Sequence, residues 1–209
     1  MPNHDPIRKR VSDYYSGKLA AHGATHCGVD WNSRESQELR FEQLLKLVGD
    51  LAQPFSINDY GCGYGALVTY LAAQGFSFSY VGFDFAEALI REARSFLDLA
   101  ENCEFVIEER ALPRADYTVA SGLFNVKLQT DAEDWAPYML DTLERMWELS
   151  GKGMAFNALT KYSDPEYMRP DLYYADPCFL FDHCKTRFSR HVALLHDYGL
   201  YEFTILVRR

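Results

Sequence analysis

The stretch Phe55-Ser56-Ile57-Asn58-Asp59-Tyr60-Gly61-Cys62-Gly63-Tyr64-Gly65 decides the fold. Phe55 to Asp59 is a short strand candidate that runs straight into glycines at alternate positions, after which Leu67, Val68 and Leu71 suggest a helix. The order is strand, glycine loop, helix. Glycines permit positive φ and let the backbone approach a ligand closely, and the start of the following helix offers free N–H groups. Upstream, Phe41, Leu44, Leu45 and Val48 fall at i, i+3, i+4 and i+7, which predicts an amphipathic helix that Ser33 or Ser36 can cap and that ends near Gly49.

Downstream the same unit repeats. Phe76 to Phe83 reads as a strand that stops at Asp84, followed by a helix with Leu89, Ala93, Phe96, Leu97 and Ala100 on one face. Phe105–Glu108 and Tyr117–Ser121 predict strands three and four, Met139, Leu143, Met146 and Trp147 a further helix, and Gly153–Ala158 strand five. His191–His196 and Tyr201–Val207, separated by the turn-like Asp197-Tyr198-Gly199-Leu200, predict a terminal hairpin. Strands alternating with helices imply a parallel sheet covered on both faces, here with an antiparallel addition at the end, so the fold class is α/β, doubly wound. Met1 to Trp31 shows no long clean period and reads as a short helix or two plus loops.

The chain has 209 residues, 48% of them hydrophobic and 24% charged, which suits one domain with a real core and excludes global disorder. Lys plus Arg number 21 against 30 for Asp plus Glu, a net charge of -9 that repels nucleic-acid backbones and anionic membranes. Met1 to Arg10 lacks the apolar stretch of a secretory signal, and no run approaches the ~20 apolar residues of a membrane span, so a soluble cytoplasmic protein is expected. Cys27, Cys62, Cys103, Cys178 and Cys184 are odd in number and scattered, which predicts reduced thiols.

In a doubly wound sheet, ligands bind beyond the carboxyl ends of the strands, beside the first strand-to-helix turn. Gly61, Gly63 and Gly65 occupy that turn, and Asp84 ends the next strand at close to the ~20-residue spacing of an acid that accepts hydrogen bonds from ribose hydroxyls. The pair reads as a nucleoside site. Gly61-x-Gly63-x-x-Ala66 also satisfies the dinucleotide pattern formally. Asp59 separates the two readings, because a carboxylate at the mouth of the loop repels a pyrophosphate and suits a ligand bearing an ammonium and a sulfonium, as S-adenosylmethionine does.

Asp59-x-Gly61-x-Gly63-x-Gly65, then Val81-Gly82-Phe83-Asp84 leading into Ile90-Arg91-Glu92-Ala93-Arg94, resembles the class I S-adenosylmethionine-dependent methyltransferases. The resemblance runs from about Ser33 to Arg209 and implies a Rossmann-like, seven-stranded sheet whose last strand is antiparallel. It implies Asp59 and the glycines near the methionine part, Asp84 on the ribose, Phe85 beside the adenine, and Glu109 at the acid position near the adenine amine. Glu108 stands where the family often has glycine, which leaves open which of the two glutamates meets the base. Ser121-Gly122-Leu123 resembles the fourth-strand end beneath the cofactor, with Ser121 a contact candidate.

Residues 1–32 are expected to form a cap and 33–209 the methyltransferase domain, with an insertion over 160–190. Tyr15, Lys18, Trp31 and Arg40 are candidates to cover the cofactor, Lys18 and Arg40 as cations for its carboxylate. His22, His26 and Cys27 fall short of a closed zinc site, so no metal is expected. The insertion is rich in aromatics and carries Asp164, Asp171 and Asp176; it reads chiefly as a small core of its own, and as a wall for a cationic substrate in the alternative. His196, His191, Asn125 and Tyr162 are conceivable bases, but no spacing identifies a catalytic residue. The expected activity is methyl transfer from S-adenosylmethionine to a small molecule; the alternatives are a nicotinamide-dependent oxidoreductase and a non-catalytic cofactor-binding homologue. Acceptor and oligomeric state are not readable from the chain.

Overall fold

A computed structural model describes residues 4–95 and 102–209. Its sheet has seven strands: β1 (Phe55–Tyr60), β2 (Phe78–Phe83), β3 (Cys103–Val106), β4 (Ala115–Ala120), β5 (Ser150–Leu159), β6 (His191–Leu195) and β7 (Glu202–Arg208). Their order is β3-β2-β1-β4-β5-β7-β6, with β7 antiparallel to both neighbours. Strand order therefore reverses between β1 and β4, and the crevice beyond their carboxyl ends is the place where such sheets bind ligands. Registers Asp59↔Gly82 and Asp59↔Val119 set the first strand's carboxylate between the ends of its two neighbours.

Helices cover both faces. On one, α2 (Arg34–Leu45), α3 (Ala66–Ala73) and α4 (Glu87–Arg94) pack Phe41, Leu44, Leu71 and Ile90 onto Ile57, Tyr80 and Val119. On the other, α5 (Ala132–Leu149) and α6 (Pro177–Arg187) pack Leu143, Met146, Leu180 and Cys184 onto Phe83, Phe156, Phe203 and Ile205. Side chains that alternate along β1 explain the division, Ile57 going to one layer and Tyr60 to the other. The α2 start is a capping box in which Ser33 Oγ accepts from the Ser36 N–H at 3.1 Å and Ser36 Oγ accepts from the Ser33 N–H at 3.3 Å.

Several boundaries differ from the sequence reading for physical reasons. The N-terminal segment holds one 18-residue helix, α1 (Asp5–His22), followed by a short 3₁₀ turn at His26–Val29. Its weak period reflects a narrow seam, since only Ile7 and Val11 are buried, against Trp135 and Tyr138 of α5. Strand β3 ends at Val106 rather than Glu108, because its partner β2 ends opposite it at Phe83 and leaves Ile107 44% exposed. Phe96, Leu97 and Ala100 of the expected helix lie outside the described residues. The expected insertion divides in two: residues 160–176 form a loop across the carboxyl edge, whereas α6 belongs to the second core layer, its start capped by Asp176. The aromatic run is thus partly ordinary core. Among the described residues no helix is long and apolar enough to cross a membrane.

Candidate functional site: an inner cavity and an outer chamber

The glycine loop is tied to the end of β2 by two bonds to one carbonyl, Gly61 N–H and Cys62 N–H donating to Phe83 O at 2.8 and 2.9 Å. Gly63, at φ 56°, then turns its own N–H onto Asp84 Oδ2 at 3.0 Å, while the Ala86 N–H donates to Asp84 Oδ1 at 2.9 Å. The Gly63 and Ala86 amides, one on each oxygen, therefore orient the Asp84 carboxylate. Asp59, almost fully buried, accepts from the Tyr80 hydroxyl at 2.7 Å. Burial pushes Asp59 up to about 7 despite that hydrogen bond, and pushes Asp84 up to about 6 despite its amide donors.

Both acids line a cavity at the switch point. Gly61, Gly63, Phe85 and Ser121 share its wall, as do Tyr15, Trp31, Gln37 and Tyr64. Gly65 caps α3 immediately beyond. Ser121 Oγ is buried and finds no hydrogen-bond partner among the described residues, a hydroxyl suited to a ligand in the cavity. The donor set is two carboxylates, an unpartnered hydroxyl and aromatic faces. It fits a nucleoside with ribose hydroxyls and an attached cation, and among the described residues it contains no cationic side chain for a pyrophosphate.

Three of the expected cofactor contacts sit elsewhere. Glu109 accepts from Arg8 at 3.1 Å and from the Tyr60 hydroxyl at 2.7 Å, in a charged groove between α1 and α5. Glu108 pairs with Arg110 at the surface. Lys18 pairs with Asp30 at 2.6 Å. Arg40 makes a buried two-point contact with Glu202 at 2.7 and 2.9 Å, and its guanidinium stacks on Trp31, 3.8 Å from the ring centroid. Each of these cations already has a partner within the chain.

The Arg40–Glu202 pair belongs to a network beneath the cavity. Asn157 Nδ2 donates to Glu202 at 2.9 Å, and Asn157 Oδ1 accepts from the Gly122 N–H at 2.6 Å. Gly122 and Trp31 in turn are in close contact, since a Cβ on Gly122 would lie 2.2 Å from the indole. This contact stands between the first cavity and a second, and Tyr15, Val29, Trp31 and Gly122 line both. The outer chamber is closed by Asp30, Asn32 and Asn125 and by Ser163, Tyr167, Arg169 and Tyr174 of the 160–176 loop. Of the conceivable bases, Asn125 reaches the chamber but is bonded to Glu202 and to the Leu159 N–H. His196 stacks on Tyr162 and Phe203 away from both cavities, and His191 is exposed on β6. Asp30 escaped the sequence reading because nothing local marks it; only its left-handed backbone, φ 64°, sets it apart.

No family model matches the sequence. A Mycobacterium tuberculosis protein bearing the name "Putative methyltransferase Rv1506c" is 53% identical over 158 residues, which cover 76% of this chain and 95% of that protein. Among solved structures, magnesium protoporphyrin IX methyltransferase from Synechocystis with bound S-adenosylmethionine superposes with a TM-score of 0.66 at 13% identity, covering 96% of this chain and 97% of the other. Human N-acetylserotonin methyltransferase in complex with the same cofactor gives 0.65 at 14% identity, over 100% of this chain and 60% of the other. These two likenesses concern the fold, whereas the mycobacterial relative is close in sequence as well. With the loop, the paired acids and the strand order, they lead to one assignment: the chain belongs to the class I S-adenosylmethionine-dependent methyltransferases.

Proposed function

We propose that this protein transfers the methyl group of S-adenosylmethionine to a nucleophile on a small molecule, with the inner cavity holding the donor and the outer chamber the acceptor. The observation that carries this reading is the pair of carboxylates, Asp59 and Asp84, at adjacent strand ends in one cavity with the unpartnered Ser121 hydroxyl. The bound cofactor supplies an electrophilic methyl on a sulfonium. The chain's residues bind and orient. Asp84, fixed by its two amide donors, accepts from the ribose hydroxyls; Asp59 and the backbone of Gly61 and Gly63 hold the methionine portion; Phe85 lies against the base; Ser121 contributes a hydroxyl. Trp31 and Tyr15 cover the cavity and exclude water.

A chamber adjoining the donor cavity favours an enzyme over a binding-only homologue, and the acidic loop disfavours a dinucleotide. The test is direct. The protein is titrated with S-adenosylmethionine and with a nicotinamide dinucleotide, and a metabolite extract is assayed for label from a methyl-labelled donor. Binding of the first alone, with label transferred, is expected; dinucleotide binding without methyl transfer contradicts the proposal.

A further inference from the structure

The outer chamber is lined by charges that are already matched. Arg40 is neutralised by Glu202, Arg169 by Asp171, and Asp30 by Lys18. Of the acids that could favour a cationic guest, Asp176 is paired with Lys161, and Asp164, which accepts from the Tyr201 hydroxyl, does not line the chamber. A guest carrying net charge of either sign would lose water and meet no free counter-charge. Neutral hydrogen-bonding groups and flat rings remain, with Asn32 and Ser163 among the former. Tyr167 and Tyr201, 64% and 45% exposed with ring centroids 6.0 Å apart, form an apolar platform on the chamber wall.

Two carboxylates reach this chamber. Glu202 is 1% exposed and both its oxygens are filled, by Arg40 and Asn125 on one and by Arg40 and Asn157 on the other. Asp30 differs. It follows Val29 and precedes Trp31, both of which line the donor cavity as well, so it stands at the junction of the two spaces. Its side chain is 20% exposed, with Lys18 Nζ on Oδ1 and the Tyr14 hydroxyl on Oδ2, and each oxygen keeps a second acceptor site. Tyr14, Tyr15 and Lys18 from α1 and Arg169 from the 160–176 loop are the titratable groups around it. Its left-handed backbone closes the 3₁₀ turn His26–Val29, a cap position at which aspartate tolerates positive φ.

We propose that the outer chamber receives an uncharged ring compound bearing hydroxyl groups, and that the Asp30 carboxylate takes the proton of the hydroxyl that accepts the methyl group. The inference rests on the methyl-transfer reading above. A bond forms between the acceptor oxygen and the methyl carbon as the sulfur–methyl bond breaks. The sulfur keeps the electron pair and loses its positive charge, and the hydroxyl proton passes to Asp30 and from there to solvent.

The experiment measures S-adenosylhomocysteine release by the full chain with four sets of probes: methyl glycosides and simple phenols as the two sources of neutral ring hydroxyls, and ring-bearing amines and carboxylates as charged comparisons. Turnover confined to one or both hydroxyl sets is expected, and the two sets tell sugar from phenol. Turnover with the amines or carboxylates alone, or with no set while the cofactor binds, overturns the proposal. With the active set, Asp30→Asn is expected to keep its affinity for S-adenosylmethionine within about twofold and to lose roughly 100-fold or more in kcat with little change in KM. The acid limb of the pH–rate profile should vanish in that variant. An Asp30→Asn kcat within threefold of the parent, or loss of cofactor binding in that variant, overturns the assignment of Asp30. Failure of the parent protein to bind the cofactor at all would instead overturn the methyl-transfer reading.

Discussion

Asp59 and Asp84 sit in the folded chain with their carboxyl groups pushed up to about 7 and about 6 by burial. Raised carboxyl values mean that the folded state holds protons the unfolded state releases. Their contribution to stability is complete below the ordinary carboxylate range and is lost as pH rises through about 6 and then about 7. A ligand with a cation and hydroxyl donors favours the ionised forms. Affinity for S-adenosylmethionine should therefore rise with pH over that window, by at least about tenfold between pH 5 and pH 7.5, with proton release on binding at the acid end. Titration calorimetry in buffers of different ionisation enthalpy reads both quantities. Gly122 offers a steric test. At φ 70° with the Trp31 indole 2.2 Å from a built Cβ, Gly122→Ala must displace the ring that divides the two cavities. A stability loss of about 1–3 kcal/mol by urea denaturation and weakened cofactor binding are expected.

Strand β7 reaches the site through Glu202, its first residue, which the network joins to α2 through Arg40 and to β5 through Asn157. Glu202→Gln would leave Arg40 buried with its charge uncompensated. The loss should be about 3–5 kcal/mol, whereas pairing it with Arg40→Met should recover part of that; denaturant midpoints of the three variants check it. Such partnerships show where sequence reading stops. The glycine loop, the acid ending β2 and the capping serine of α2 announce themselves, because each is a local device whose residue types answer a local backbone need. Arg40 and Glu202 lie 162 positions apart, and nothing within a window around either indicates the other. Arg40 and Lys18 looked available for a cofactor carboxylate because a sequence displays cations without their partners. The same holds for α1, whose narrow buried seam makes sense only once Trp135 and Tyr138 are placed against it.

Taken together, the molecule is a twisted sheet whose carboxyl edge carries two adjoining spaces, roofed by α1 and the 3₁₀ turn from one end of the chain and by the 160–176 loop from its later part. The sheet order and the inner cavity follow from strand-helix alternation, which is written along the chain. The outer chamber does not, since it is assembled from Tyr15, Asp30, Asn125 and Arg169, residues of unrelated segments. Seating of S-adenosylmethionine in the inner cavity, held by Asp84, underlies both proposals. Calorimetric titration of the parent chain and of Asp84→Ala with that compound tests it most directly. One molecule bound per chain is predicted, with affinity reduced roughly 10- to 100-fold in the variant, whose fold is checked by circular dichroism. No binding by the parent at millimolar ligand, or equal affinity in a folded Asp84→Ala, would contradict it.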